Sequence, residues 1–219
     1  MSPPAVPAPH EPDPHRSAVA VAVLAGLLVI LAVVAVDRLR PAPPVALIGD
    51  SITAMSATSL HRRLDDDWSV TIDGRPGYRV DQQLDAARRI AARGPEQVVI
   101  NLGTNDVNQG VDPASSAAAM VEMVSLFDSA RCIHLVTVNE SMLDGNLEVR
   151  RSAETLNEAY RAIAARDPRV RIIDWAGMVE DWQAAHPGRS ITTDTVHPTD
   201  EGIDLLVSAY DEALTSCET

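Results

Sequence analysis

The chain of 219 residues has no lysine: all 18 basic residues are arginine, set against 31 acidic ones, for a formal net charge of −13. An acidic surface repels phosphate backbones, so nucleic acid is excluded as an expected partner. Cysteine is nearly absent as well. The two present, Cys132 and Cys217, lack metal-ligand spacing. No cluster of His and Asp stands at the spacing a metal-dependent phosphoesterase would need, so neither a metal nor another cofactor is expected. No internal repeat is visible.

What is there starts with an appendage. Residues 1–17 hold six prolines among Ser, His and acids. They cannot bury a core and are expected to form a disordered arm. Residues 18–36 follow, 19 positions without a charge or strong polar group. At about 1.5 Å per residue such a helix nearly matches the roughly 30 Å hydrocarbon layer, and a transmembrane anchor is expected. A cleaved signal peptide has an apolar region of about 7–15 residues behind a basic segment. Here the run is longer, only Arg16 precedes it, and Val33-Val34-Ala35 is a poor cleavage site. A buried core helix is the third reading. Charge leaves the orientation open: Arg38 and Arg40 follow the span, while Arg16 and the amino terminus precede it. Residues 37–44, rich in proline, read as a stiff linker, and residues 45–219 as the folded domain.

Within that domain, apolar strand-like runs alternate with helix-like stretches. The expected strands are Val45–Ile48, Ser69–Ile72, Val98–Asn101, Ile133–Val138 and Val170–Ile173. The expected helices cover about 56–66, 80–93, 113–130, 147–166 and 200–216. Asp112-Pro113 places a cap before a first-turn proline, and Thr199 or Asp200 would cap the last helix. Continuous apolar strands separated by helices imply a parallel sheet covered on both faces, an α/β fold whose ligands bind beyond the strands' carboxyl ends. Ser51, Gly74, Gly77, Asn105 and Asn139 all lie just past such ends.

Those residues form a chemically coherent set. Ser51 closes a Gly49-Asp50-Ser51 turn, where Gly49 permits a tight bend and leaves room for a substrate carbonyl. Asp194-Thr195-Val196-His197 puts a carboxylate three residues before an imidazole, close enough to orient the ring so that its far nitrogen faces a serine hydroxyl. Asn105, in Gly103-Thr104-Asn105-Asp106, supplies a side-chain amide for a developing oxyanion, and the backbone N–H of Ser51 a second donor. For the third, Gly77 is preferred, since Pro76 pre-sets its approach, with Gly74 as the alternative. Each cluster has a plainer reading: Ser51 and Asp50 as a helix cap, Asp194 and His197 as a solvated loop, Asn105 as an Asx turn. Asp106 reads as a structural loop residue and His134 as a core or edge histidine. His61 and His186 read as solvated, Trp175 and Trp182 as packing residues. Asn139 is the candidate substrate contact.

In this order the clusters resemble the SGNH (GDSL-type) hydrolase family, with GDSI at 49–52, a glycine at Gly77 (or Gly74), Gly103-x-Asn105-Asp106, and Asp194-x-x-His197. Ile52 stands where the family name has Leu. The resemblance spans residues 49–197. It implies a flavodoxin-like three-layer α/β/α sandwich with a five-stranded parallel sheet, here preceded by one transmembrane helix. It further implies metal-free ester hydrolysis with Ser51 as nucleophile, His197 as base, Asp194 as orienting carboxylate, and an oxyanion hole from Ser51, Gly77 and Asn105. In that fold Cys132 and Cys217 fall at the end away from the active rim, so a Cys132–Cys217 disulfide is expected. A disulfide belongs to an oxidising compartment and favours an exported domain. The expected protein is thus a single-pass membrane serine esterase with an extracytoplasmic catalytic domain, acting on acyl or acetyl esters of envelope glycans or lipids. An acyltransferase with the same triad and a silent binding domain are the alternatives.

Overall fold

The runs around Val45, Val98 and Ile133 are too continuously apolar to leave either face of a sheet in water. In the computed structural model of the chain they are the three inner strands of one sheet. The structure describes residues 41–142 and 146–217. The expected arm at 1–17, the span at 18–36 and residues 37–40 of the linker lie outside the described residues. Among the described residues no helix is long and apolar enough to cross a membrane.

The strands are β1 (Pro44–Gly49), β2 (Ser69–Gly74), β3 (Gln97–Asn101), β4 (Cys132–Val136) and β5 (Val170–Ile173). They pair in the order β2-β1-β3-β4-β5, every pair parallel. The helices are α1 (Ser51–Leu64), α2 (Val80–Ala91), α3 (Thr104–Asn108), α4 (Pro113–Ser125), α5 (Leu147–Ala164), α6 (Trp175–Ala185) and α7 (Asp200–Ser216). Side chains alternate along each strand, and each face gets its own core. Ala46, Ile48, Val98, Ile100 and Leu135 pack with Val80, Met120, Phe127, Leu156 and Tyr160 of the α2–α4–α5 side. Val45, Leu47, Val99, Val136 and Ile173 pack with Leu60, Val179, Leu206 and Tyr210 of α1, α6 and α7. This is the expected three-layer sandwich.

The strand order also positions the site. The chain leaves β1 for β2 and returns on the other side of β1 to form β3, so connections diverge at the carboxyl ends of β1 and β3. A crevice opens at such a switch point. Ser51 follows β1 and Asn105 lies a few residues beyond β3.

Several boundaries differ from expectation for physical reasons. The first helix starts at Ser51, not near 56, because the buried Asp50 carboxylate accepts from Ile52 N–H (2.9 Å) and caps it there. β1 starts inside the expected linker, at Pro44, where proline is tolerated as a strand's first residue. β4 stops at Val136 instead of Val138, since the Asn157 side chain takes both the N–H and the carbonyl of Val138. The fourth helix ends at Ser125 rather than 130. Two helices were not expected, the short α3 and α6; α6 contains both Trp175, which is buried, and Trp182. Asp112 caps α4 and Thr199 caps α7.

Cys132, at the start of β4, and Cys217, at the C-cap of α7, are joined by a disulfide, with Cα atoms 6.3 Å apart and a sequence separation of 85. Closing a loop of that length removes unfolded-state entropy, so Cys217→Ser is expected to lower the unfolding free energy by about 2–4 kcal/mol. Ester turnover should stay near the wild-type rate, because the bond lies at the strands' amino ends. Urea unfolding with and without reductant, run beside an ester assay, checks both parts.

Candidate active site

Gly49 ends β1 where α1 starts its return over β1 and β2. A Cβ there would overlap the Thr53 side chain and approach Asn101 O to 2.9 Å. The missing side chain therefore serves this close approach and not the tight bend expected, because the left-handed glycines lie elsewhere. The Gly49 carbonyl accepts from Arg75 N–H and from Gln83 Nε2, each at 2.9 Å, which fixes the turn. Ser51 then occupies the first position of α1, where the helix dipole favours negative charge.

His197 comes from the loop before α7. The Ser51 hydroxyl donates to His197 Nε2 at 2.9 Å, and His197 Nδ1–H donates to Asp194 Oδ2 at 2.7 Å. The direction follows from Asp194. Its carboxylate also accepts from His197 N–H (2.7 Å) and Val196 N–H (3.1 Å) on Oδ1. The His197 backbone bond is the largest cause holding its pKa down at about 2. An ionised carboxylate can only accept, so Nδ1 carries the proton and Nε2 of the neutral ring offers its lone pair to the serine. Residues 146 positions apart thus meet within bonding reach.

Asn105 sits at the start of α3 after Gly103, whose φ is +115°. A Cβ at Gly103 would come within 2.7 Å of the Tyr160 hydroxyl, so both the backbone and its surroundings call for glycine. Asn105 Nδ2 donates to Asp50 Oδ2 at 3.1 Å. One amide hydrogen is spent there, and Nδ2 keeps a second. Asp50 itself is fully buried. Burial pushes its pKa up to about 6, offset in part by Ile52 N–H, by the nearby His197 and by Asn105.

The two candidate glycines separate clearly. Gly74 ends β2 against α1, where a Cβ would come within 2.6 Å of Ala54 N. Gly77 is exposed, with φ +80°, and a Cβ there would meet nothing within 4 Å. It follows Pro76 in a turn closed by Tyr78 N–H to Arg75 O (3.2 Å), and its carbonyl accepts from Gln109 Nε2 (3.0 Å).

The remaining candidates have structural partners. Asn139, expected to touch substrate, is buried with both ends of its amide engaged inside the protein: Nδ2 donates to Thr195 O (3.2 Å), and Oδ1 accepts from Ser141 N–H (2.9 Å). Asp106 Oδ2 accepts from Val80 N–H (3.1 Å) at the start of α2. His134 is buried beside Gln97 Oε1 (3.1 Å), its pKa pushed down to about 4 chiefly by burial. His61 is exposed and pairs with Asp65, whereas His186 stacks on Trp182 with ring centroids 4.2 Å apart. Among the described residues no group of three or more His, Cys, Asp or Glu could hold a metal ion. Sequence reasoning missed Asp50 as the partner of Asn105. The available signal was an acid between a glycine and a serine, which also fits a simple cap.

A family model for the GDSL-like lipase/acylhydrolase family matches residues 47–205, most of the chain. The chain belongs to this family. It is therefore a hydrolase of the esterase kind, with the SGNH blocks read from the sequence inside the matched span. No curated protein matches the sequence. Among solved structures, it is similar to a lipolytic G-D-S-L family member from Veillonella parvula (20% identity, 80% of this chain and 99% of that one, TM-score 0.65). It is similar also to the C-terminal catalytic domain of peptidoglycan O-acetyltransferase A from Streptococcus pneumoniae (22% identity, 81% and 95%, TM-score 0.62). A third is an acetylxylan esterase from Geobacillus stearothermophilus (18% identity, 77% and 92%, TM-score 0.62). At these identities the likeness establishes a shared fold.

Proposed function

We propose that the chain is a serine esterase that cleaves acyl or acetyl esters through an acyl-enzyme intermediate. Ser51 is the nucleophile, His197 the general base and acid, and Asp194 the orienting carboxylate. The observation that carries the reading is the unbroken line of hydrogen bonds from Ser51 Oγ through the His197 ring to Asp194.

The steps follow from that line. Ser51 Oγ attacks the ester carbonyl carbon as its proton passes to His197 Nε2, and Asp194 stabilises the imidazolium. The carbonyl oxygen becomes an oxyanion received by the second Asn105 amide hydrogen and the backbone N–H groups of Ser51 and Gly77. Collapse breaks the bond to the alcohol, which leaves with the proton from His197. Water then gives its proton to Nε2 and attacks the acyl-enzyme, releasing the acid and restoring Ser51.

The substrate proposed is an ester on an envelope glycan or lipid, acetyl esters of glycans foremost. Two structural neighbours, the peptidoglycan O-acetyltransferase domain and the acetylxylan esterase, are named for acetyl chemistry on glycans. The apolar run at 18–36 would anchor the protein in a membrane, and the Cys132–Cys217 disulfide favours an oxidising compartment outside the cytoplasm. The acyltransferase neighbour supports a second reading, in which the acyl group passes to another alcohol instead of water. A panel of p-nitrophenyl esters from acetate to palmitate, run beside O-acetylated glycan with and without an acceptor alcohol, tests these together. Release of acetate from glycan is the expected result, and acceptor-dependent transfer would favour the second reading. Folded protein that turns over none of the esters would overturn both.

A further inference from the structure

Among the described residues, Thr195 is the one residue other than glycine with a left-handed backbone, at φ +68°. A β-branched side chain resists that conformation, which persists only where the surroundings enforce it. The bonds around it reveal its use. With the chain turned back at 195, Asp194 Oδ1 accepts from both Val196 and His197 N–H while Oδ2 accepts from His197 Nδ1. An extended residue at 195 would carry the imidazole away from the carboxylate.

The loop is closed at its base by Thr193 N–H to His197 O (2.7 Å) and Thr199 N–H to Ile191 O (2.8 Å). Its crest is held from another element. Asn139 Oδ1 accepts from Ser141 N–H, which fixes the amide's orientation and leaves Nδ2 to donate to Thr195 O at 3.2 Å. Asn139 is itself immobilised. Buried Asn157 of α5 grips Val138 at N–H (2.7 Å) and carbonyl (2.8 Å), and donates to Glu140 Oε1 (2.9 Å).

We propose that Asn139 is a positioning residue for the triad: its amide, donating to the Thr195 carbonyl, holds Thr195 in the left-handed conformation that keeps Asp194 and His197 paired. The inference rests on the reading of Ser51, His197 and Asp194 as the catalytic groups. It assigns Asn139 a role in kcat, where a substrate contact would act on KM.

Four proteins test it: the wild type, Asn139→Ala, Asn139→Asp, and Asn139→Ala combined with Thr195→Gly. Asn139→Ala should lower kcat about tenfold, the effect of one buried hydrogen bond, with KM within about twofold. Asn139→Asp keeps an oxygen for Ser141 N–H but sets another against the Thr195 carbonyl, so it should lose at least as much. Adding Thr195→Gly removes the backbone penalty, and a several-fold recovery of kcat is expected. Proton NMR supplies a readout independent of turnover: the downfield His197 Nδ1 proton should be present in the wild type, weakened in both single variants and restored in the double variant. An unchanged kcat in Asn139→Ala, a loss confined to KM, or an Asn139→Asp variant with wild-type activity and proton signal would overturn the proposal. If the wild type hydrolyses no ester, the esterase reading fails, while the proton signals still decide whether Asn139 holds the pair.

Discussion

Ser51→Ala is expected to reduce kcat on p-nitrophenyl acetate by about three orders of magnitude or more, with little change in fold stability. The reason is that the substitution removes the one atom able to form the acyl-enzyme, while the turn that carries it is held by other groups. Asp50 caps α1, and Gly49 O is fixed by Arg75 and Gln83. The oxyanion donors survive, so residual activity above the uncatalysed rate is expected. A fluorophosphonate should label the wild type on Ser51 and leave the variant unlabelled. Equal turnover by the two proteins would defeat the mechanism, and wild-type protein that is folded but not labelled would favour a silent binding domain.

Asp50→Asn is expected to move activity and stability in opposite directions. In the wild type, Asp50 holds Asn105 by accepting from Nδ2. An asparagine at 50 that kept its oxygen on Ile52 N–H would turn its own NH2 group towards that amide. Asn105 would then flip or withdraw, and the oxyanion would lose a donor. A fall in kcat of about 100-fold is expected, the usual scale for such a donor. Stability responds to the buried charge. Burial raises the folded pKa of Asp50 from 3.8 to about 6, so the stability linked to its protonated form is complete below about pH 4 and lost as pH rises through 6. That shift corresponds to roughly 3 kcal/mol. Asp50→Asn cannot ionise, so its stability should lack this decline and exceed that of the wild type at pH 8. Urea unfolding at pH 4.5 and pH 8 measures the difference, and a wild-type decline retained in the variant would exclude Asp50 as its source.

The site has a common pattern of trade-off: a charge kept in a dry place destabilises the fold and orders the group beside it. Asn105 alone could rotate its amide either way. An acceptor at Asp50 Oδ2 selects one orientation, and the selection is made before substrate arrives.

The legible part of this protein was the part encoded by local pattern. Apolar runs marked all five strands within one or two residues; the three inner ones, buried along nearly their whole length, have few polar positions to blur their outline. Ser51, Asn105, Asp194 and His197 stood in short motifs directly after such runs or beside a helix cap. The ends of elements were less legible, since they depended on distant partners. β4 ends where Asn157, 19 residues further on, captures Val138, and α1 begins early because Asp50 turns inward. Asn139 shows the same dependence on a distant partner. Its place at the rim was visible, but the carbonyl it bonds belongs to Thr195, 56 residues away.

By itself, then, the sequence determined the alternation of strands and helices, the acidic all-arginine surface and the chemical identity of the groups at the rim, because periodicity and short-range spacing carry that information. Only the tertiary structure decided which groups meet: Ser51 with His197, Asn105 with Asp50, Asn139 with Thr195, Cys132 with Cys217. Each of these pairings is made across the parallel sheet's rim or base by segments far apart in the chain, and a contact of that kind is set by strand order and packing, which no local window of residues contains.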